Sequence, residues 1–196
     1  MFHALVAVPL QCSSSKRRAA IVASAGCSTA PPPPSRASRT PSVNSRDCRA
    51  QIEALRPLVV VINGTRILTR ETLTAFRIPV LNVHAGITPK YRGVHGAYWA
   101  LANKDREHCG VTVHLVDEGV DTGGILHQAL IQPGPQDHFA TYPTLQMVTG
   151  SRLLCRAVGE VISGTASVIQ ASAESRRWYH PTLWGYYWNR LTTGVR

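Results

Sequence analysis

Apolar and polar positions change rhythm at about residue 47. Before it, apolar residues are scattered among Ser13–Ser15, the Pro31–Pro34 run and a Ser- and Arg-rich stretch from Ser35 to Ser45. Such a segment offers no periodic apolar face to offset the entropy of ordering, so residues 1–46 read as a disordered or targeting-like leader. After it, strand-like and helix-like patterns alternate. Residues 48–55 suit a short helix stopped by Pro57, and residues 58–62 are a β-branched run closed by Asn63-Gly64, as for a strand buried on both faces. Residues 70–76 suit a helix, 80–84 a second buried strand, and 96–103 a further helix. Strands are expected at 111–116 and 125–131 with a turn-rich stretch, 117–124, between them. Residues 145–163 carry the longest helical pattern, with Met147, Leu154, Val158 and Val161 on one face. The alternation predicts an α/β domain over residues 47–170, with a mostly parallel sheet flanked by helices. An aromatic-rich tail follows at 171–196. There Trp184, Tyr187 and Trp188 stand at helical spacing, a stripe expected to cover a core or a homo-oligomer interface.

Composition narrows the function classes. The chain has 196 residues and a formal net charge of +10, but residues 1–49 hold seven of the 21 basic side chains and only one of the 11 acids. Much of the excess therefore sits in the leader, which weakens a nucleic-acid reading. Lys16, Arg17, Arg18, Arg36, Arg39 and Arg46 stand among serines with no acid before Asp47, the composition of an organelle import signal or of a plain disordered leader. No apolar run approaches the roughly 18 residues that span a bilayer. Five irregularly spaced cysteines do not form a secreted disulfide framework, so a reducing cytoplasm is the default, with organellar import as the alternative.

The chemistry-bearing patterns for phosphate loops, nucleophile elbows, zinc and dithiol sites are absent. His108 and Cys109 are adjacent, but no second pair completes a metal site. Polar residues in apolar surroundings remain. Asn82 and His84, two apart near the end of a predicted strand, share a face, and the crevice beyond strand carboxyl ends is where α/β sheets bind ligands. His114 interrupts another apolar strand, and Asp121 lies in the turn Asp117-Glu118-Gly119-Val120-Asp121-Thr122-Gly123-Gly124. Singly, each has a plain explanation as a satisfied core histidine, an Asx-turn former or a strand-end hydrogen bonder.

Together they resemble a family. Leu81-Asn82-Val83-His84-Ala85-Gly86-Ile87-Thr88-Pro89-Lys90-Tyr91-Arg92-Gly93 is similar to the Asn-x-His…Pro-x-Tyr-x-Gly loop of the 10-formyltetrahydrofolate-dependent formyltransferases. Cys109–His114 and Asp117–Gly124 resemble its second signature, and Thr65-Arg66-Ile67-Leu68 the segment lining its pterin pocket. The resemblance implies a Rossmann-type formyltransferase fold, with 10-formyltetrahydrofolate as formyl donor. It implies Asn82, His84 and Asp121 as catalytic residues, and Thr65, Arg66, Ile67, Leu68, Gly119 and Val120 at the folate. His114, Tyr91 and Gly93 would lie at the acceptor, and no metal is implied. His114 matches a histidine of the glycinamide ribonucleotide branch, and the short stretch after Ile131 disfavours a tRNA acceptor. The first strand–helix units of the family are not recognisable, so the chain is expected to be truncated at its N-terminus.

The implied chemistry is amine attack on the donor's formyl carbon through a tetrahedral oxyanion. Protonated His84 and the Asn82 amide would donate to that oxygen, and Asp121 would favour the imidazolium and take up the amine proton. Three readings stay open: transfer to a small-molecule amine, hydrolysis of the formyl donor, and a non-catalytic folate-binding remnant.

Overall fold

The computed structural model describes residues 2–28, 30 and 37–196. The Pro31–Pro34 run lies outside them. Residues expected to stay unfolded are helical: a π-helical turn at His3–Ala7 leads into α1 (Val8–Ser13) and α2 (Ser15–Ser24). Phe2, Val6 and Ala7 are buried with Tyr98, Phe139 and Tyr186, and Phe2 meets the Phe139 ring edge-on at 5.1 Å. Arg17 reaches the buried Asp137 through two hydrogen bonds of 2.9 Å. A few well-placed apolar side chains and one charge pair thus give this segment a tertiary partner, which average composition does not register.

The central elements follow from local signals. Ser45 accepts a hydrogen bond from Cys48 N–H and starts α3 (Arg46–Leu55). The apolar run that follows yields β1 (Val60–Ile62). Thr69 caps α4 (Arg70–Phe76), and the next run forms β2 (Val80–His84). A two-residue strand, β3 (Arg92–Gly93), precedes α5 (Gly96–Ala102). Then come β4 (Gly110–Leu115), β5 (Ile125–Leu130), the 22-residue α6 (Tyr142–Ser163), β6 (Arg177–Trp178) and α7 (Leu183–Thr193).

The main sheet has four strands in the order β1-β2-β4-β5. Only β1 and β2 run parallel; β2 with β4 and β4 with β5 are antiparallel. The expectation of a mostly parallel sheet is therefore corrected to a mixed one. The turn at 117–124 is too short for a crossover, so it can join β4 to β5 only as a hairpin. β1 is one of the two edge strands, and Val61 is 42% exposed instead of buried on both faces.

The longest helix, α6, crosses this sheet with Leu154, Val158 and Val161 against Leu81, Val113 and Leu126. Gly150 permits the approach, because a β-carbon there would collide with Val83 and Val111. Of the two fates expected for the tail's stripe, the core is not the one seen in the single chain. Tyr186 is buried and anchors α7, while Trp184 and Trp188 are 76% and 68% exposed.

Candidate active site

β2 delivers Asn82 and His84 to its C-terminal end, and β4 sets His114 directly opposite Asn82. Asn82 Nδ2 lies 3.2 Å from His114 Nε2. The other ring nitrogen of His114 is 2.6 Å from the Leu115 carbonyl, which only accepts, so Nδ1 carries a proton. This leaves Nε2 between the Asn82 amide and Asp121 Oδ1, the latter 3.7 Å away.

His84 is buried and bonded on both sides. Its Nε2 donates to the Tyr91 carbonyl at 2.7 Å, and its Nδ1 lies 3.2 Å from Asp121 Oδ2. Both ring nitrogens of His84 therefore face oxygen acceptors. Asp121 completes the cluster from the hairpin turn, in a left-handed backbone conformation with φ 53°. Its Oδ2 also accepts the Gly93 N–H at 2.9 Å. Burial works to raise the Asp121 pKa, but the neighbouring His114 and His84 and the Gly93 amide outweigh it and hold the group well below the usual carboxylate range. The result is a buried imidazole paired with a half-buried carboxylate beside a strand-end amide.

The loop between β2 and β3 is fixed from below. Thr112 donates to the Gly86 carbonyl at 2.7 Å and accepts the Thr88 N–H at 3.1 Å, and Gln128 donates to the Thr88 carbonyl at 2.7 Å. Sequence reasoning missed Thr112 and Gln128. A signal for the first existed: Thr112 and His114 are polar alternate positions in one apolar strand. Gly93, φ 93°, must be glycine, since a β-carbon would strike the Trp178 carbonyl across the β3–β6 pairing.

Tyr91, expected at the acceptor, turns its side chain away from the His84–Asp121 pair. Its ring stacks on Trp178 at 5.6 Å and its hydroxyl donates to Asp105 at 2.8 Å. Asp105 also receives Lys90 at 2.6 Å and His108 at 2.7 Å. Burial opposes ionisation of Asp105, but these three donors prevail and hold its pKa at about 2. The part of Tyr91 that touches the site is its carbonyl. His108 is thus committed to a carboxylate, and the adjacent Cys109 is buried, its thiol pushed up to about 11 mainly by that burial. Among the described residues no group of three or more His, Cys, Asp or Glu could hold a metal ion.

The residues expected at the folate are dispersed. Thr65, Arg66 and Ile67 are exposed on the loop between β1 and α4, while Leu68 is buried with Phe76 and Val80. Gly119 is exposed and Val120 half-buried in the hairpin turn. An ion pair between Arg70 and Glu118, 3.1 Å, ties the two segments together. A cleft of about 300 Å³ beside Asp121 is lined by Thr88, Arg92, Thr122, Gly124 and Ile169, not by residues 65–68.

A formyl transferase family profile matches residues 9–158, well over half of the chain. The chain belongs to the formyl transferase family. The match begins inside the segment expected to be a leader, in keeping with helices α1 and α2. A methionyl-tRNA formyltransferase of Pelotomaculum thermopropionicum is 34% identical over 125 residues, covering 63% of this chain and 40% of that protein. The chain spans about two fifths of the length of the curated relatives it matches. Glycinamide ribonucleotide transformylase 1 from Symbiobacterium toebii is structurally similar, with TM-score 0.55 and 26% identity over 67% of this chain and 59% of that one. An N-formyltransferase from Helicobacter canadensis, solved with folinic acid and dTDP-3-aminofucose, gives TM-score 0.51 and 26% identity over 60% and 43%.

Proposed function

We propose that this member of the formyl transferase family transfers a formyl group from 10-formyltetrahydrofolate to an amine on a small molecule. The observation that carries the reading is the convergence of Asn82, His84 and Asp121 at the end of β2, joined by bonds of 3.2 Å between His84 and Asp121 and 3.2 Å between Asn82 and His114. Family membership and the folate-bound relative support the donor.

Each residue has a task that fits its surroundings. Asp121 is held in its ionised form; it accepts the proton that the attacking amine loses and returns it to N10 of the folate as the tetrahedral intermediate collapses and the formyl carbon–N10 bond breaks. The Asn82 amide donates to the oxygen that becomes negative at the formyl carbon. His84 supplies positive charge beside that oxygen, and it donates directly once Nε2 exchanges the Tyr91 carbonyl for the substrate. The exposed Ile67 offers an apolar surface for the flat pterin, and the Gly119–Gly124 turn offers backbone polar groups, so these residues fit the donor.

His114, matching the glycinamide ribonucleotide branch, favours a small acceptor of that kind, whereas the names of the curated relatives favour methionyl-tRNA. The exposed Trp184 and Trp188 would serve self-association. Among the described residues no helix is long and apolar enough to cross a membrane. All five cysteines are free, which suits the reducing cytoplasm or an organelle interior.

Incubation with 10-formyltetrahydrofolate and separate pools of small primary amines and of methionyl-tRNA, read by mass spectrometry, tests the proposal. One small amine is expected to gain a formyl group. A gain on methionyl-tRNA alone would move the acceptor to RNA, and formate release without any acceptor would make the chain a hydrolase.

A further inference from the structure

Three consecutive residues, Tyr91, Arg92 and Gly93, bear on the His84–Asp121 pair. The Tyr91 carbonyl accepts from His84 at 2.7 Å, and the Gly93 N–H donates to Asp121 at 2.9 Å. Between them, Arg92 Nη1 donates to the carbonyl of Val120 at 2.9 Å. Val120 is the residue immediately before Asp121, and the bond therefore acts on the peptide that sets the Asp121 backbone.

That backbone needs holding. Asp121 sits at φ 53°, a region that residues with a β-carbon adopt rarely. It lies between Gly119 and the Gly123-Gly124 pair, whose freedom makes the turn permissive instead of directing it to one conformation. The opening of the turn is clasped locally: Asp117 accepts the Gly119 N–H at 3.0 Å and the Thr122 hydroxyl at 2.7 Å. Arg92 is the side-chain tie from the turn's backbone to the loop that carries the rest of the site, beside the Gly93 N–H that holds the Asp121 carboxylate itself.

The arginine is itself well anchored and otherwise uncommitted. Its N–H donates to the Arg176 carbonyl at 3.0 Å as part of the β3–β6 pairing, so the stem leaves from a fixed point. The guanidinium forms no carboxylate pair within 4.0 Å among the described residues, and its buried Nε has no partner. A cation kept half-buried with one bond to a backbone carbonyl is poor value as a stability device, because charged groups are costly to bury without a counterion. Arg92 lines the same cleft of about 300 Å³ as Asp121.

We propose that Arg92 is a positioning residue for formyl transfer: by pinning the Val120 carbonyl it holds Asp121 in the one backbone conformation that presents its carboxylate to both His84 and Gly93. Without the pin, the glycine-rich turn reaches other conformations, the carboxylate leaves the imidazole, and the charge arrangement needed in the transition state is populated only part of the time. This inference rests on the formyl-transfer reading for its catalytic consequence, but its structural content does not.

Arg92→Met keeps the apolar stem and removes the donor, and Arg92→Lys restores a single donor without the planar fork. Amide hydrogen exchange followed by NMR is the first readout and needs no substrate. Protection of the Gly93 N–H should fall about ten-fold or more in Arg92→Met, with the core amides of Val111 and Val113 unchanged. The second readout is kinetic: kcat should fall about 10- to 100-fold while KM for the formyl donor stays within about three-fold, with partial recovery in Arg92→Lys. Unchanged Gly93 protection in a folded Arg92→Met protein overturns the proposal, and so does unchanged kcat per folded molecule. Should Arg92→Met fail to fold, Arg92→Leu, which also lacks the donor, carries both measurements, and full wild-type values in each overturn it. If the wild-type chain transfers no formyl group, the functional reading fails, and the exchange measurement still decides whether Arg92 holds the turn.

Discussion

His84 and Asp121 form a unit in which each ring nitrogen and each carboxylate oxygen has an assigned neighbour. Replacing His84 by Ala removes the charge beside the developing oxyanion, and turnover should fall by at least about 10² with donor affinity changed only a few-fold. Asp121→Asn should lose a comparable amount, and the double variant little more, as for groups that act together. Melting curves and turnover measured on the same samples check this: normal turnover per folded His84→Ala molecule would remove the residue from catalysis. Asp105 gives a prediction of another kind. Its folded pKa, about 2, lies below the ordinary carboxylate value, so its three donors contribute stability that is complete above about pH 4. That contribution is lost as pH falls from there toward 2. Asp105→Asn should therefore lower stability at neutral pH and flatten this part of the acid-unfolding curve, read by circular dichroism between pH 5 and about 2.

At the scale of elements, two contacts decide how pieces of the chain dock. Arg17 fixes α2 through Asp137, whose side chain is only 1% exposed. Arg17→Met leaves that carboxylate with Gly134 and Thr141 as its remaining donors, and should cost about 1–3 kcal/mol, toward the lower end because the arginine is open to water. Urea denaturation measures it, and a change within error would mean that α2 is not held there. The contact of α6 with the sheet depends on Gly150. Gly150→Val inserts bulk against Val83 and Val111 and should destabilise by about 1–3 kcal/mol or more. The signals for these elements differ in kind. Ser45, Thr69 and Thr182 are cap residues with short-range logic, so their helices are legible from sequence. The docking of Phe2 on Phe139 links residues far apart in the chain, and no local pattern announces it.

Across the whole molecule, the outward face of α7 sets a testable expectation. Trp184, Trp188 and Leu191 are 76%, 68% and 83% exposed, with Arg190 as the only charged residue of that helix. If the stripe joins two copies, sedimentation should show a concentration-dependent dimer that Trp188→Glu disperses, whereas a monomer at all concentrations would end that reading.

What the sequence determined by itself is what short-range chemistry controls. β-branched runs ending in Asn63-Gly64 and His84 made strands, Thr69 and Ser45 made helix starts, and the spacing of Asn82 and His84 put both on one face of β2. Tertiary structure decided the rest. Strand direction was one such choice: the 117–124 turn was too short to cross over and forced β5 antiparallel to β4, while β4 lies antiparallel to β2 although the α5-bearing connection between them had length for either direction. Burial of β1 depended on its place at the sheet edge, which no residue within β1 encodes. The aromatic stripe faced outward because Tyr186, not Trp184, found the pocket beside Tyr98 and Phe139. Most of all, the site required the hairpin turn to bring Asp121 within 3.2 Å of a histidine 37 positions earlier in the chain. A carboxylate in a glycine turn and a histidine at a strand end are ordinary when read apart; the folded chain alone buries the imidazole and sets the half-buried carboxylate against it.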